Sequence, residues 1–475
     1  VAEKKEKKIA KLVKMAKMEE GMELELSDFQ ISGTDANGTM TMADFEILDP
    51  DRKIREDYVL KPGFYKITDK SGLIPLDVTP DRYFETESNM EISRHFDVFV
   101  NKQDIYEKRG LPKKRSILLH SQPGCHAKGQ GVIMYDGSIK RVEDIQVGEL
   151  LMGPDSTPRK VERLVRGRDQ MVKIIPKKGT PFVVNMGHTQ PFIISGKAYN
   201  NEILNIPISE ALKPDYSCSG ILARAKIFRS ELIDFPKTDM ALEMDPYILG
   251  VWLGDGTNTK PSITNCDPEV IEAWESYING LGCTMISQGD GTSQSYYARH
   301  ENASKINPNP VTKQLREAGL NVSSTQPIDK FIPHKYLASS IEDRRKLLAG
   351  LIDTDGHARL SEVEIVTKYE QLCKDILFLA RSLGFAAYYK VKKAYATNTV
   401  NKTVRDYYRI HIHGDFTDIP TKVPHKTPKT REQIKNPLRT GYKTEVLPED
   451  DYYGFSVDGD HLYLLDDFTV THNCG

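Results

Sequence analysis

The spacing of apolar positions changes several times along the chain. Between Val1 and Met22, Ile9, Leu12, Val13 and Ala16 fall on one face of a Lys-rich helix. From Cys125 to about Phe192 short apolar runs alternate with Gly, Pro and Asp: GVIMYDGSIKRV, GELLMGPDS, QMVKIIPKKG and PFVVNMG. These predict strands, and Asp136-Gly137 predicts a hairpin turn. From about 241 to 440 longer helical patterns mix with strands, and Asp451 to Val470 reads as strands again. A β-rich unit is therefore split by an α/β insertion. Inside that insertion ILGVWLGDG, Ile248 to Gly256, is echoed by LLAGLIDTDG, Leu347 to Gly356.

Composition narrows the class. The chain has 475 residues, enough for two to four domains, and a formal net charge of −2, so it is not globally biased toward nucleic acid or membrane. Its apolar runs all fall short of a membrane span, and the Lys-rich start lacks the apolar core of a secretory signal, which favours a solvated helix there. Six scattered cysteines without a C-x-x-C pair fit a reducing, cytoplasmic setting rather than a disulfide framework.

The edges of the β-rich unit carry reactive residues. Cys125 follows Gly124, and His472-Asn473-Cys474 closes the final strand pattern. A cysteine thiolate can attack the carbonyl of its own preceding peptide and form a thioester, and a second cysteine can take over the acyl group. An asparagine amide can attack its own backbone carbonyl, closing a succinimide and cutting the chain, while a neighbouring histidine polarises that carbonyl or moves protons.

The segment CHAKGQGVIMYDGSIKRVEDIQVGELLMGPDSTPRKVERLVRGRDQM resembles the N-terminal splicing block of inteins, and DDYYGFSVDGDHLYLLDDFTVTHNC resembles their C-terminal blocks. The likeness is greatest to the intein type of fungal vacuolar ATPase catalytic subunits. It spans residues 125 to 474. The resemblance implies that Cys125 and Cys474 are successive nucleophiles. It implies that Asn473 cyclises with help from His472 and His461, and that His188 activates the Gly124–Cys125 peptide. Asn185 stands where most inteins carry threonine, and Gly454 where many carry aspartate; the fungal type is similar at both. Splicing of this kind takes no cofactor. Hedgehog-type autoprocessing shares a β-rich fold and first cysteine, but needs no terminal Asn-Cys.

Within the insertion, Gly250 and Gly350 would let two helices approach closely and bring Asp255 and Asp355 together at their ends. Paired carboxylates can hold a divalent metal for phosphodiester hydrolysis. LLAGLIDTDG resembles the LAGLIDADG homing endonuclease motif, and ILGVWLGDG is a looser copy. The family implies Mg²⁺ held by Asp255 and Asp355, double-stranded DNA as substrate, and one chain sufficing as a monomer. Lys330 in PIDKFIP matches the family's Lys-x-Ile-Pro block; its counterpart is Lys422 or Lys426. From Lys390 to Lys443 there are about thirteen Lys/Arg against four Asp/Glu, interleaved with Tyr395, Tyr407 and Tyr408, which suits phosphate contact. The region from Lys197 to Met244 is either an additional DNA-recognition arm or a longer connection. An inactive DNA-binding scaffold is the alternative to a working nuclease; both intact acids favour the working one.

Joining RSILLHSQPG to Cys474-Gly475 reads SILLHSQPGCG, which resembles a strand entering the phosphate-binding loop of an AAA-type ATPase. Ser121 replaces the usual first glycine, and the chain stops before the Lys-Ser/Thr, so ATP binding is expected only of the spliced host. The expected order is an α+β host segment (1–124), the first part of an all-β horseshoe-like splicing domain with the possible arm (125–240), an α/β endonuclease (241–440), the second part of the splicing domain (441–473), and the resumed host (474–475). The natural DNA target is the host gene without the insertion.

Overall fold

The computed structural model describes five short strands and residues 108–109 before position 124, and then residues 124–194, 203–212, 225–237, 241–289, 294–304, 306–320, 328–394, 404–429 and 436–473. The helix expected over 1–22, Ser121, Tyr395 and Cys474 lie outside the described residues. The chain forms two compact units, 1–111 and 112–475. In the first, Phe29–Ile31 pairs with Phe45–Ile47, and Tyr65–Thr68 lies between Thr39–Met40 and Gly72–Pro75.

In the second unit the two β-rich stretches are one structure. The strand Pro158–Pro176 runs antiparallel to Tyr442–Val457, from Val161 opposite Val457 to Pro176 opposite Tyr442. Residues nearly three hundred positions apart are thus hydrogen-bonded neighbours, as a domain interrupted by an insertion requires. His126–Ala127 slots between Phe182–Asn185 and Tyr442–Val457, with His126 facing both Val184 and Tyr453. The predicted hairpin forms between Gly131–Ile133 and Ile139–Arg141. Its turn uses Gly137 at φ +82°, where a side chain would be strained, and the Asp136 carboxylate accepts from the Ser138 N–H at 2.9 Å.

Ile203–Pro207 and Ala225–Phe228 flank Thr189–Ile194, and Arg439–Thr440 closes the far edge. The described part of the 197–244 region therefore completes a sheet that links both ends of the insertion.

The insertion is built on two helices, Pro246–Asp255 and Ile341–Asp355. The Asp245 carboxylate caps the first by accepting from Ile248 N–H at 3.2 Å, with Pro246 at its first turn. Ser340 caps the second through Asp343 N–H at 3.1 Å. They cross at the two predicted glycines: a methyl at Gly250 would lie 2.4 Å from the Leu347 carbonyl oxygen, and one at Gly350 would lie 2.2 Å from that of Tyr247. Each helix leads to its own sheet. One has three strands in the order 262–264, 294–299, 284–289; the other has four, in the order 356–359, 362–367, 405–413, 386–394. Trp252, Trp274 and Tyr336 are fully buried among the helices and sheets, and the same apolar core runs on to Ile133, Met152, Phe468 and Val470 of the β-rich part.

Candidate functional sites

At the upstream junction the short His126–Ala127 strand draws Cys125 into the protein, where it is fully buried. The Asn185 amide oxygen accepts from Cys125 N–H at 2.7 Å, and the Cys125 carbonyl accepts from Asn185 N–H at 3.0 Å. The Asn185 amide nitrogen donates to Asp169 at 3.1 Å, which holds its oxygen toward Cys125. Gly124 lies on the backbone of residues 187–189; a Cβ there would sit 2.5 Å from His188 Cα, so glycine is what lets the junction peptide approach.

His188 is fully buried, with Nε2 3.1 Å from Thr471 Oγ1 and 3.4 Å from Gln190 Oε1. Burial, assisted by the charge of His472 and opposed by Gln190 and the Gly124 backbone, holds its pKa at about 4. The ring is therefore neutral near pH 7. A second buried imidazole, His126, stands 5.0 Å away between ring centroids, and burial first and His188 second depress its pKa as well.

At the downstream junction the strand Val470–His472 pairs with Leu462–Leu464. Period-two alternation sends Thr471 to His188 and leaves His472 on the other side, where its Nδ1–H donates to the Asn473 carbonyl at 2.8 Å. That carbonyl belongs to the peptide joining Asn473 to Cys474. Asn473 N–H donates to the His461 carbonyl at 2.8 Å. His461 Nδ1–H and the Asn473 amide nitrogen both donate to the Val457 carbonyl, at 2.9 and 3.4 Å. The Asn473 amide oxygen is buried with no hydrogen-bond partner among the described residues. His461 holds a left-handed φ of +64°, unusual for a side-chain-bearing residue. The structure thus gathers Cys125, Asn185 and His188 at one junction and His461, His472 and Asn473 at the other. Sequence reasoning missed Asp169, Gln190 and Thr471, though Thr471 was within reach of strand alternation.

In the insertion, Asp255 and Asp355 end their helices side by side. Desolvation by the surrounding protein raises both pKa values, and the Asp255 charge adds to the rise at Asp355, which reaches about 6 although the residue is exposed. Asn265 donates to Asp255 at 2.5 Å. The buried Lys330 Nζ donates to the carbonyls of Trp252, Leu253, Gly254 and Gly256 at 2.7 to 3.2 Å, so it caps the first helix with positive charge. Burial lowers its pKa to about 8, against the pull of Asp355 and Asp255. Lys426 does the same for the second helix, donating to Asp353 and Thr354 carbonyls at 2.9 and 2.5 Å. Lys422 instead lays Nζ over the Tyr247 ring, 4.6 Å from its centroid. Geometry therefore pairs Lys330 with Lys426. Asp353, the other acid in LLAGLIDTDG, is fully buried and accepts from Tyr247 Oη and the backbone of Lys422 and Val423.

The four-stranded sheet buries Val363, Ile365, Ile410 and Ile412 against the helices, while alternate positions carry Arg409, His411, Lys390 and Lys392 on the opposite face. Beside the helix ends a polar cleft opens, lined by Gly256, Thr257, Lys368, Tyr369, Arg405 and Asp406. Among the described residues no helix is long and apolar enough to cross a membrane.

The homing-endonuclease-associated Hint family matches residues 125–196, and the homing endonuclease family matches residues 331–437. The chain is 22% identical to the catalytic subunit of the V-type proton ATPase of Candida tropicalis over 74% of this chain and 44% of that protein. It is 22% identical to the homothallic switching endonuclease of Saccharomyces cerevisiae over 78% of this chain and 68% of that protein. It therefore spans less than half the length of the first of these relatives. Among solved structures, the gp41-1 intein aligns at 17% identity and TM-score 0.17 over 23% of this chain and 70% of that one. A structure of I-DmoI in complex with DNA and Ca aligns at 13% identity and TM-score 0.24 over 36% of this chain and 82% of that one. The chain carries a Hint splicing domain and a homing endonuclease domain, the pair that performs protein splicing and DNA cleavage in intein endonucleases.

Proposed function

We propose that residues 125–473 excise themselves and join Gly124 to Cys474. The Cys125 thiolate attacks the Gly124 carbonyl; the C–N bond breaks, the amine takes up a proton, and a thioester remains. His188 supplies the proton path at this peptide, and Asn185 fixes the Cys125 nitrogen. The Cys474 thiolate then attacks that thioester carbonyl; its bond to Cys125 sulfur breaks, the Cys125 thiolate leaves, and the acyl group rests on Cys474 as a new thioester. The Asn473 amide nitrogen attacks its own carbonyl, whose oxygen His472 polarises, and the Cys474 amine leaves. That amine captures the neighbouring thioester to form the final peptide. His461 orders the Asn473 backbone. The observation that carries this reading is the His472 Nδ1–H bond to the Asn473 carbonyl, 2.8 Å long and aimed at the bond that must break.

For the insertion we propose cleavage of double-stranded DNA at the uninterrupted host gene, by a monomer containing both acids. Two carboxylates held together at negatively polarised helix ends, with Asp355 raised by desolvation and then by Asp255, form an oxygen donor set suited to Mg²⁺. When bound, that ion activates water and stabilises the departing oxygen. Lys330 and Lys426 keep the two helix ends fixed and place positive charge beside the carboxylates. The flanking segments would belong to a cytoplasmic AAA-type ATPase whose ATP site is completed by ligation. The boundaries 125–240, 241–440 and 441–473 fit the pairing of Pro158–Pro176 with Tyr442–Val457 around the insertion.

The test is intact mass of a precursor bearing a longer C-terminal host segment, beside Cys125→Ala/Asn473→Ala. A free intein and a ligated host, absent from the double variant, are expected. Unchanged full-length mass in both would overturn the splicing assignment.

A further inference from the structure

The two halves share more than a connection. The turn at 465–469 feeds the Val470–His472 strand, which carries Thr471 to His188 and His472 to the scissile carbonyl. This strand has three residues and, among the described residues, its one strand partner is Leu462–Leu464. The turn contains Phe468 at φ +65°, a costly conformation for a residue with a side chain, so its geometry must be imposed from outside.

Part of what imposes it comes from the insertion. Phe378, on the Glu370–Ser382 helix, meets the fully buried Phe468 ring edge-on at 5.1 Å. Asp467 is buried between positive charges: Arg229 Nη2 is 3.4 Å from its carboxylate, and the charges of Arg229 and Arg381 keep that carboxylate ionised despite burial. Arg381 lies on the same helix as Phe378, and its Nε donates to Ala387 at 3.0 Å, which fixes its position. At the end of that helix the Ser382 carbonyl accepts from Ile233 N–H at 2.9 Å and from the buried Arg344 at 3.1 Å. Arg344 also donates to the Ile233 carbonyl at 2.6 Å. The segment so clamped contains Ser230, whose N–H donates to the Phe468 carbonyl at 3.0 Å. A packed, hydrogen-bonded path thus runs from the endonuclease helix to the strand bearing Thr471 and His472.

We infer that the Glu370–Ser382 helix positions the 465–469 turn for Asn473 cyclisation through the Phe378–Phe468 contact, with Arg381 fixed on the same helix, a support supplied by the endonuclease half to the splicing half. The inference rests on the splicing reading above. Its consequence is that the two junctions depend unequally on the insertion: Cys125 is held by Asn185 and its own sheet and meets the braced strand only through the His188–Thr471 contact, whereas Asn473 directly continues that strand.

The test uses the full chain with an extended C-terminal host segment. Thiol-induced cleavage at Gly124–Cys125 reports the first junction, and release of the Cys474 segment in a Cys125→Ala background reports cyclisation. Phe378→Ala and Arg381→Met should slow cyclisation about tenfold while thiol cleavage stays within about twofold, because misplacement by a fraction of an ångström is enough to cost that much. Ile376→Ala, also buried on the same helix but two residues before Phe378 and so directed to the other side of the helix, should move neither reaction. Unchanged cyclisation in Phe378→Ala and Arg381→Met, or a parallel fall of both reactions in all three variants, would overturn the inference. A parent chain that shows neither reaction would instead fail the splicing reading itself.

Discussion

The two reaction centres of this chain treat water in opposite ways. The splicing centre encloses its own substrate, because the peptides to be cut are part of the chain; Cys125, His126, His188 and Thr471 have no exposure. The cleavage centre must admit a large external polymer, so Asp355 keeps an edge in solvent and the helix ends adjoin an open polar cleft. Desolvation acts on both, with opposite chemical results. It empties the histidines of protons and pushes protons toward the carboxylates. The first outcome leaves neutral bases beside a thiol. The second leaves an acidic pair whose repulsion a cation would relieve.

If the centres are separate, single substitutions should split the activities. The largest effect expected is that of Asp355→Asn, which should lower double-strand cleavage by about a thousandfold or more by removing a carboxylate proposed to hold the metal. Splicing, read by intact mass, should be unchanged; joint loss would refute the separation. Next, Asn185→Ala removes the acceptor at 2.7 Å from the Cys125 nitrogen. Thiol-induced cleavage should slow by about a hundredfold, the scale of one preorganised hydrogen bond in an acyl-transfer site, with DNA cleavage intact.

A smaller effect tests the lysine assignment. Lys426→Met should reduce DNA cleavage by about ten- to a hundredfold, whereas Lys422→Met should cost no more than about twofold, since only Lys426 faces the helix-end carbonyls. Equal losses would return the choice to an open one.

The smallest expected effect concerns pH. His188 has a folded pKa of about 4, below the unfolded value of about 6.5, so between these the unfolded chain binds the extra proton. Stability contributed by neutral His188 is present above about 6.5 and is lost as pH falls toward 4, by up to about 3 kcal/mol. Asp355 has the reverse sign: its folded pKa of about 6 exceeds the unfolded value of about 3.9, so stability is lost as pH rises through that window. Solvent at its edge weakens this contribution. In metal-free thermal unfolding, His188→Gln should flatten the acid side of the profile, and Asp355→Asn should raise the melting temperature more at pH 8 than at pH 5.

Much of this arrangement is legible in the residues because its chemistry is local. The thiol next to a glycine, the His-Asn-Cys end and the duplicated Gly-containing helices with terminal Asp-Gly are each set by near neighbours, and the structure brings Gly250 to Gly350 and seats Cys125 and Asn473 in buried positions. The interruption was also legible, since strand periodicity stops and resumes. What the sequence could not decide were pairings between distant segments. Lys422 and Lys426 stand four residues apart with the same side chain; only the course of the backbone past Asp353 sends one to the helix end and the other to an aromatic ring. The strands Ile203–Pro207 and Ala225–Phe228 carried no signal of their shared partner, Thr189–Ile194, which lies between them. The brace from Phe378 to Phe468 joins residues ninety positions apart through a shared apolar core, which forms without regard to sequence order. Residue chemistry and local periodicity determined which side chains each centre could draw on; close packing in three dimensions decided which lysine reaches the helix-end carbonyls, what Asn185 and His188 lean on, and where the inserted half touches the half it interrupts.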